Sequence, residues 1–65
     1  MTRVELVTKW WLGRNRERLL ECVRDRWVLK DVALMVAYEA NIRIREGEVE
    51  AIRGQLKRYL KEIEK

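Results

Sequence analysis

Apolar residues recur at helical spacing along almost the whole chain, and no proline interrupts the pattern. In the first segment Val4, Val7 and Trp11 stand at i, i+3 and i+7, which places them on one face of an α-helix. In the last segment the gaps between apolar residues from Val49 to Ile63 alternate between three and four. Leucine, arginine, lysine and glutamate, which are good helix formers, are abundant. The pattern predicts an all-α protein with amphipathic helices.

The repeat falls into four segments separated by weak breaks. Gly13 and Asn15 indicate the first break, because glycine suits the end of a helix and asparagine the start of one. Lys30–Asp31 is a weaker signal, so one continuous helix over residues 16–44 is an alternative prediction. The predicted helices span about residues 3–12, 16–29, 31–44 and 48–64.

The third segment has no charged residue between Val32 and Tyr38 and is apolar all round. A helix without a polar face belongs in the middle of a bundle, so Leu34 and Val36 are expected to be buried. The sequence therefore predicts a single domain, a small bundle of three to four helices around a central apolar helix. A β-hairpin over residues 32–45 is the alternative, but an isolated two-stranded hairpin has little stability.

The chain is short for the core that it needs. At 65 residues, with one cysteine and no histidine, it lacks an internal disulfide and the usual zinc ligands. Small domains also bury a lower fraction of their surface than large ones. Stability must therefore come from dense helix packing or from self-association.

The composition argues against catalysis. Histidine and serine are absent, which removes the commonest general base and every serine-based triad. Cys22 is the candidate nucleophile, and Arg18 and Arg26, one helical turn to either side, would lower the pKa of its thiol. Since no base is available to orient the thiol, the favoured interpretation is a small, partly buried apolar side chain. We expect no enzyme activity, no metal and no cofactor.

The chain is not expected to enter a membrane. Its longest uncharged run, residues 32–38, is far shorter than the roughly 20 residues of a membrane span. Glu5 and Lys9 interrupt the N-terminal stretch, so no signal peptide is predicted. The expected setting is cytoplasmic, without a membrane partner.

The tryptophans offer the clearest candidates for binding. Trp10 and Trp11 are adjacent, and neighbours on a helix point about 100° apart. We expect Trp11 and Trp27 in the core and Trp10 at its boundary. Because a short bundle cannot cover every apolar side chain, some stay exposed and mark an interaction site. The sequence predicts a protein partner, or a second copy of the chain, bound through Trp10, Leu12 and Leu60.

Positive charge is concentrated in the first half of the chain. Residues 1–30 carry a net charge of +4, and residues 31–65 carry a net charge of zero. Arginine suits phosphate binding, so nucleic acid is the less favoured alternative partner. The candidate phosphate ligands are Arg14, Arg16, Arg18, Arg24 and Arg26.

A helix-turn-helix over residues 31–60, with residues 41–45 as its turn, is the motif that this alternative would use. Its recognition helix would begin at residue 46 and present its N-terminal residues to the bases. Those residues include Glu46, Glu48 and Glu50, which would meet a polyanion. We therefore expect weak or no sequence-specific DNA binding.

The last segment, with its acidic start and basic end, resembles the idealised helices of engineered bundles. The resemblance covers that segment alone and implies an engineered origin. Cys22, the pair Trp10–Trp11 and Gly54 are less regular than ideal design would give.

Overall fold

The structure, a computed structural model, describes residues 2–63 of the chain. This part contains three helices joined by two loops. They are α1 (Arg3–Arg24), α2 (Leu29–Glu39) and α3 (Glu46–Ile63). The bundle measures 29 × 22 × 20 Å, and residues 2–63 contain no strand. The all-α prediction is confirmed, with three helices in this range, and the hairpin alternative is wrong. The predicted end of the last helix, Glu64, lies outside the described residues.

The predicted break between the first two segments is a kink inside α1. The helix continues from Arg3 to Arg24, and Asn15 alone leaves helical geometry, with φ −129° and ψ 29°. Its side-chain amide donates to the Trp11 carbonyl at 3.1 Å, so a side chain supplies a hydrogen bond at the kink. The helix does not stop here because both of its halves pack on the same core, through residues such as Trp11 before the kink and Leu19 after it.

The first loop starts earlier than the sequence predicted. α1 ends at Arg24, and Arg26 adopts the left-handed conformation with φ 63°. The Trp27 N–H donates to the Cys22 carbonyl at 2.9 Å, as in the Schellman motif that ends many helices. The predicted helix over residues 16–29 is helical up to Arg24 and wrong beyond it, and the alternative of one continuous helix over residues 16–44 is wrong.

The second loop follows the same pattern. α2 ends at Glu39, five residues before the predicted end, and Asn41 has φ 56°. The Ile42 N–H donates to the Ala37 carbonyl at 3.1 Å. Asparagine tolerates the left-handed conformation better than most residues, so the chain leaves α2 here without a glycine.

Arg26→Gly is expected to raise the free energy of unfolding by about 1 kcal/mol, because glycine adopts a positive φ without the steric cost of a Cβ. Urea denaturation followed by circular dichroism measures the change. Arg58→Gly, at an exposed position inside α3, is the matched control and should lower stability by about 0.5–1 kcal/mol. If both variants were destabilised alike, the left-handed residue would not be present in solution.

The core lies where one face of each helix meets the other two. Each helix contributes fully buried side chains to it. They include Trp11 and Leu19 from α1, Val32 and Val36 from α2, and Ile52 and Leu56 from α3. The expected burial of Trp11 and of Val36 is confirmed. The last helix buries the first part of its predicted seam.

A central apolar helix is not what the structure shows. Leu34 and Tyr38, one turn apart on α2, are 45% and 84% exposed. The expected burial of Leu34 is wrong because two neighbouring helices cover one side of α2 and leave its outer side open. The buried residues of α2 are Val32, Ala33, Val36 and Ala37.

Candidate interaction surface on the first helix

The structure separates the three candidate binding residues. Trp10 is half exposed on α1, whereas Leu12 is buried in the core beside it, so the expected exposure of Leu12 is wrong. Leu60 is half-buried and packs against the core from α3. Trp27, expected in the core, is exposed because it lies in the loop after α1 rather than on its buried face. Of the three candidates, Trp10 is the one with a well-exposed side chain.

Leu6 joins Trp10 in one exposed apolar surface. The two residues are four positions apart on α1, which places them side by side, and both are about half exposed. Together with Val7 on α1 and with Glu39 and Ala40 at the end of α2, they line a groove of about 340 Å³. We call these five residues the Leu6–Trp10 surface. Sequence reasoning missed Leu6, although its i, i+4 spacing from Trp10 was a usable signal.

Cationic side chains flank this surface along the helix. Arg3 precedes Leu6 by three positions and Arg14 follows Trp10 by four, so all four share one face of α1. The Arg14 guanidinium lies 5.8 Å from the centroid of the Trp10 ring, a cation–π distance. Lys9, beside Leu6, is exposed, and neither Lys9 nor Arg14 forms an ion pair within residues 2–63.

Glu39 is the carboxylate of the groove, and Arg18 holds it with two hydrogen bonds. Nη1 donates to Oε1 at 2.8 Å and Nη2 to Oε2 at 2.6 Å. The buried Trp11 donates through Nε1 to Oε1 at 3.1 Å, and Asn15 Oδ1 accepts from Arg18 Nη1 at 3.0 Å. This network ties the kink of α1 to the end of α2 and thereby fixes the far wall of the groove.

The pKa of the Glu39 carboxyl is lowered by this network. The hydrogen bond from Arg18 is the largest cause, partial burial opposes it, and the hydrogen bond from Trp11 adds to the lowering. The carboxylate is therefore charged at neutral pH, and an arginine already compensates its charge.

The five candidate phosphate ligands do not converge on one site. Arg14, Arg16 and Arg18 line a shallow depression around the kink, together with Glu17. Arg18 is committed to Glu39, and Glu17 adds a negative charge among the remaining cations. The other two, Arg24 and Arg26, lie at the end of α1 and in the loop that follows it.

Cys22 is half-buried against the core. Burial raises the pKa of its thiol, and this effect outweighs the lowering by the nearby charge of Arg18. Arg18 lowers the thiol pKa as expected, but the net shift is upward, so the thiol is protonated and a weak nucleophile at neutral pH. Within residues 2–63 no group of three or more acidic or cysteine side chains is arranged to hold a metal ion.

None of the helices in residues 2–63 is both long enough and apolar enough to span a membrane. No protein-family model matches the chain, and neither does any curated protein or solved structure.

Proposed function

We propose that the protein is a non-enzymatic helical binding module that docks a protein partner on the Leu6–Trp10 surface. The supporting observation is that Leu6 and Trp10 stay half exposed on one face of α1 and line a groove against Ala40. Exposed apolar patches with a polar rim are typical of interaction sites. Tryptophan is among the residues that most often dominate the binding energy of an interface.

The surroundings of Trp10 support this proposal because they hold the surface in place before a partner arrives. Its neighbour Trp11 is fully buried and bonded to Glu39, which fixes the rotation of α1 about its axis. The Arg14 guanidinium lies over the Trp10 ring, 5.8 Å from its centroid. A surface that is ordered in advance loses less entropy when it binds.

Trp10→Ala is expected to weaken binding of a protein partner about tenfold or more, the loss typical of a hot-spot aromatic residue. Trp27→Ala is the matched control, since Trp27 is 48% exposed and Trp10 is 49% exposed, but Trp27 lies in the loop outside the groove. Immobilised protein captures the partner, and titration then gives the dissociation constant for each variant. Light scattering across a concentration series measures self-association in parallel.

Two results would contradict this proposal. One is a Trp10→Ala variant that retains both partner binding and assembly at the level of the parent. The other is a loss of partner affinity in Trp27→Ala that is as large as the loss in Trp10→Ala. Circular dichroism of both variants checks that the helices persist.

Nucleic-acid binding by a helix-turn-helix is the second candidate. α2, residues 40–45 and α3 follow one another in the order of that motif. Two of the carboxylates that oppose DNA binding are paired with arginine, Glu48 with Arg3 at 3.6 Å and Glu50 with Arg53 at 3.0 Å. This pairing weakens the electrostatic objection to DNA without removing it, because Glu46 forms no ion pair within residues 2–63.

Mobility-shift titrations at two salt concentrations distinguish the candidates. Tight binding with a steep salt dependence, reduced by Arg16→Ala combined with Arg24→Ala and unchanged by Trp10→Ala, would favour nucleic acid. The absence of a shift at low salt would exclude it and leave the protein partner.

A further inference from the structure

Two cationic side chains that form no ion pair within residues 2–63 border the Leu6–Trp10 surface. Arg14 lies at the end next to Trp10 and Lys9 at the edge next to Leu6, whereas Arg3, at the other end, is paired with Glu48 at 3.6 Å. The carboxylate inside the groove, Glu39, is compensated by Arg18. A partner that settles on the apolar part therefore meets uncompensated positive charge on its flanks.

A second copy of the chain fits this surface poorly. In a twofold dimer the same patch meets itself, so the interface would contain Arg14 and Lys9 from both copies. Like charges brought together in this way oppose association. The partner that complements the surface carries the opposite charge.

The shape of the surface indicates the form of that partner. The groove runs between α1 and the end of α2, lined by Leu6, Val7 and Trp10 on one side and Ala40 on the other. From Arg3 to Arg14 the helix rises roughly 16 Å, about the length of three turns of a docked helix. Leu6 and Trp10 form an apolar stripe along this length, and a helix that lies along α1 can match it with an apolar stripe of its own.

We propose that the occupant of the Leu6–Trp10 surface is an acidic amphipathic helix, an inference that rests on the proposed function. Its apolar residues, spaced at i, i+3 or i+4 and i+7, pack on Leu6 and Trp10. Its carboxylates lie beside Arg14 and Lys9, where they set orientation and association rate. The exposed Arg14 guanidinium lies over the Trp10 ring, so it borders the apolar contact and can also bind a carboxylate of the partner.

Two synthetic helical peptides of about 12 residues test the inference. Both carry leucine at the same apolar positions, and the remaining positions are glutamate in one and lysine in the other. Isothermal titration calorimetry at low and high salt gives each dissociation constant. The glutamate peptide is expected to bind at least about tenfold more tightly than the lysine peptide, and the preference should shrink at high salt.

Variants locate the effect on the surface. Arg14→Glu should remove most of the preference for the glutamate peptide. Lys57→Glu, an equal change of charge at an exposed position on α3, should leave the preference in place. Trp10→Ala should weaken both peptides, because it removes the apolar contact that they share.

The outcomes separate this inference from the proposed function. If both peptides bind equally and Trp10→Ala weakens both, the acidic partner is wrong and the docking surface stands. If neither peptide binds at about 1 mM, both are wrong. If the glutamate peptide fails while vesicles of phosphatidylglycerol bind in a manner that depends on Trp10, the occupant is an anionic lipid surface and the helix inference is overturned.

Discussion

Leu56→Ala is expected to lower the free energy of unfolding by about 2–5 kcal/mol, the range found for leucine removed from a packed core. Leu56 is fully buried on α3, where it packs in the core formed by all three helices. Leu34→Ala, the same chemical change on the outer face of α2, should cost about 0.5 kcal/mol, since Leu34 is already 45% exposed. Urea denaturation monitored by circular dichroism compares the two.

The comparison also tests the arrangement of α2. Equal losses at Leu56 and Leu34 would mean that α2 is covered on both sides, as the sequence alone predicted. The free energy of unfolding of a domain this small is low, so the loss in Leu56→Ala can be enough to unfold it without denaturant. In that case Ile52→Val, at a fully buried position, serves instead, because its expected cost of about 0.5–1.5 kcal/mol leaves a folded protein whose unfolding can be measured.

Glu39→Ala is expected to lower the free energy of unfolding by about 1–3 kcal/mol, because it leaves the N–H of the buried Trp11 without its acceptor. The paired Arg18 is half exposed, so water solvates it after the change and the ion pair itself adds little. Glu39→Gln keeps an acceptor for Trp11 and removes the charge, and it should cost less than Glu39→Ala. Thermal or urea denaturation of the two variants separates the hydrogen bond from the ion pair.

The same site predicts how stability depends on pH. Because the pKa of Glu39 is lower in the folded state than its ordinary value, its contribution is fully present above the unfolded carboxyl pKa. That contribution is lost as the pH falls through the folded pKa. The stability difference between the parent and Glu39→Gln should therefore be largest near neutral pH and shrink in acid. A difference that stayed constant with pH would show that the Arg18 pair does not form in solution.

The sequence by itself determined the class of the fold and much of its core. The i, i+3, i+7 pattern placed Trp11 on a buried face, and the apolar run predicted burial of Val36 correctly and of Leu34 wrongly. Both are local signals, because the face on which a residue lies depends only on its position along its own helix. The lack of histidine and serine was equally visible, since composition needs no geometry.

The ends of the helices depend on the tertiary structure. Glycine and asparagine at residues 13 and 15 predicted a break, and Asn15 does leave helical geometry, but the two halves of α1 stay joined across the kink because both pack on one core. The real turns follow Arg26 and Asn41, whose left-handed conformations are closed by backbone hydrogen bonds. An arginine at such a position carries no sequence signal, because its steric cost is offset only when the folded chain closes the turn.

The candidate surface is the part that only the tertiary structure decided. Whether Leu12 or Leu6 faces water depends on where α2 and α3 lie around α1, and the answer buries Leu12 and exposes Leu6. The groove exists because Ala40, far along the chain, ends up beside Trp10. Periodicity fixes which residues share a helix face, whereas the coverage of that face depends on long-range packing, which no local pattern contains.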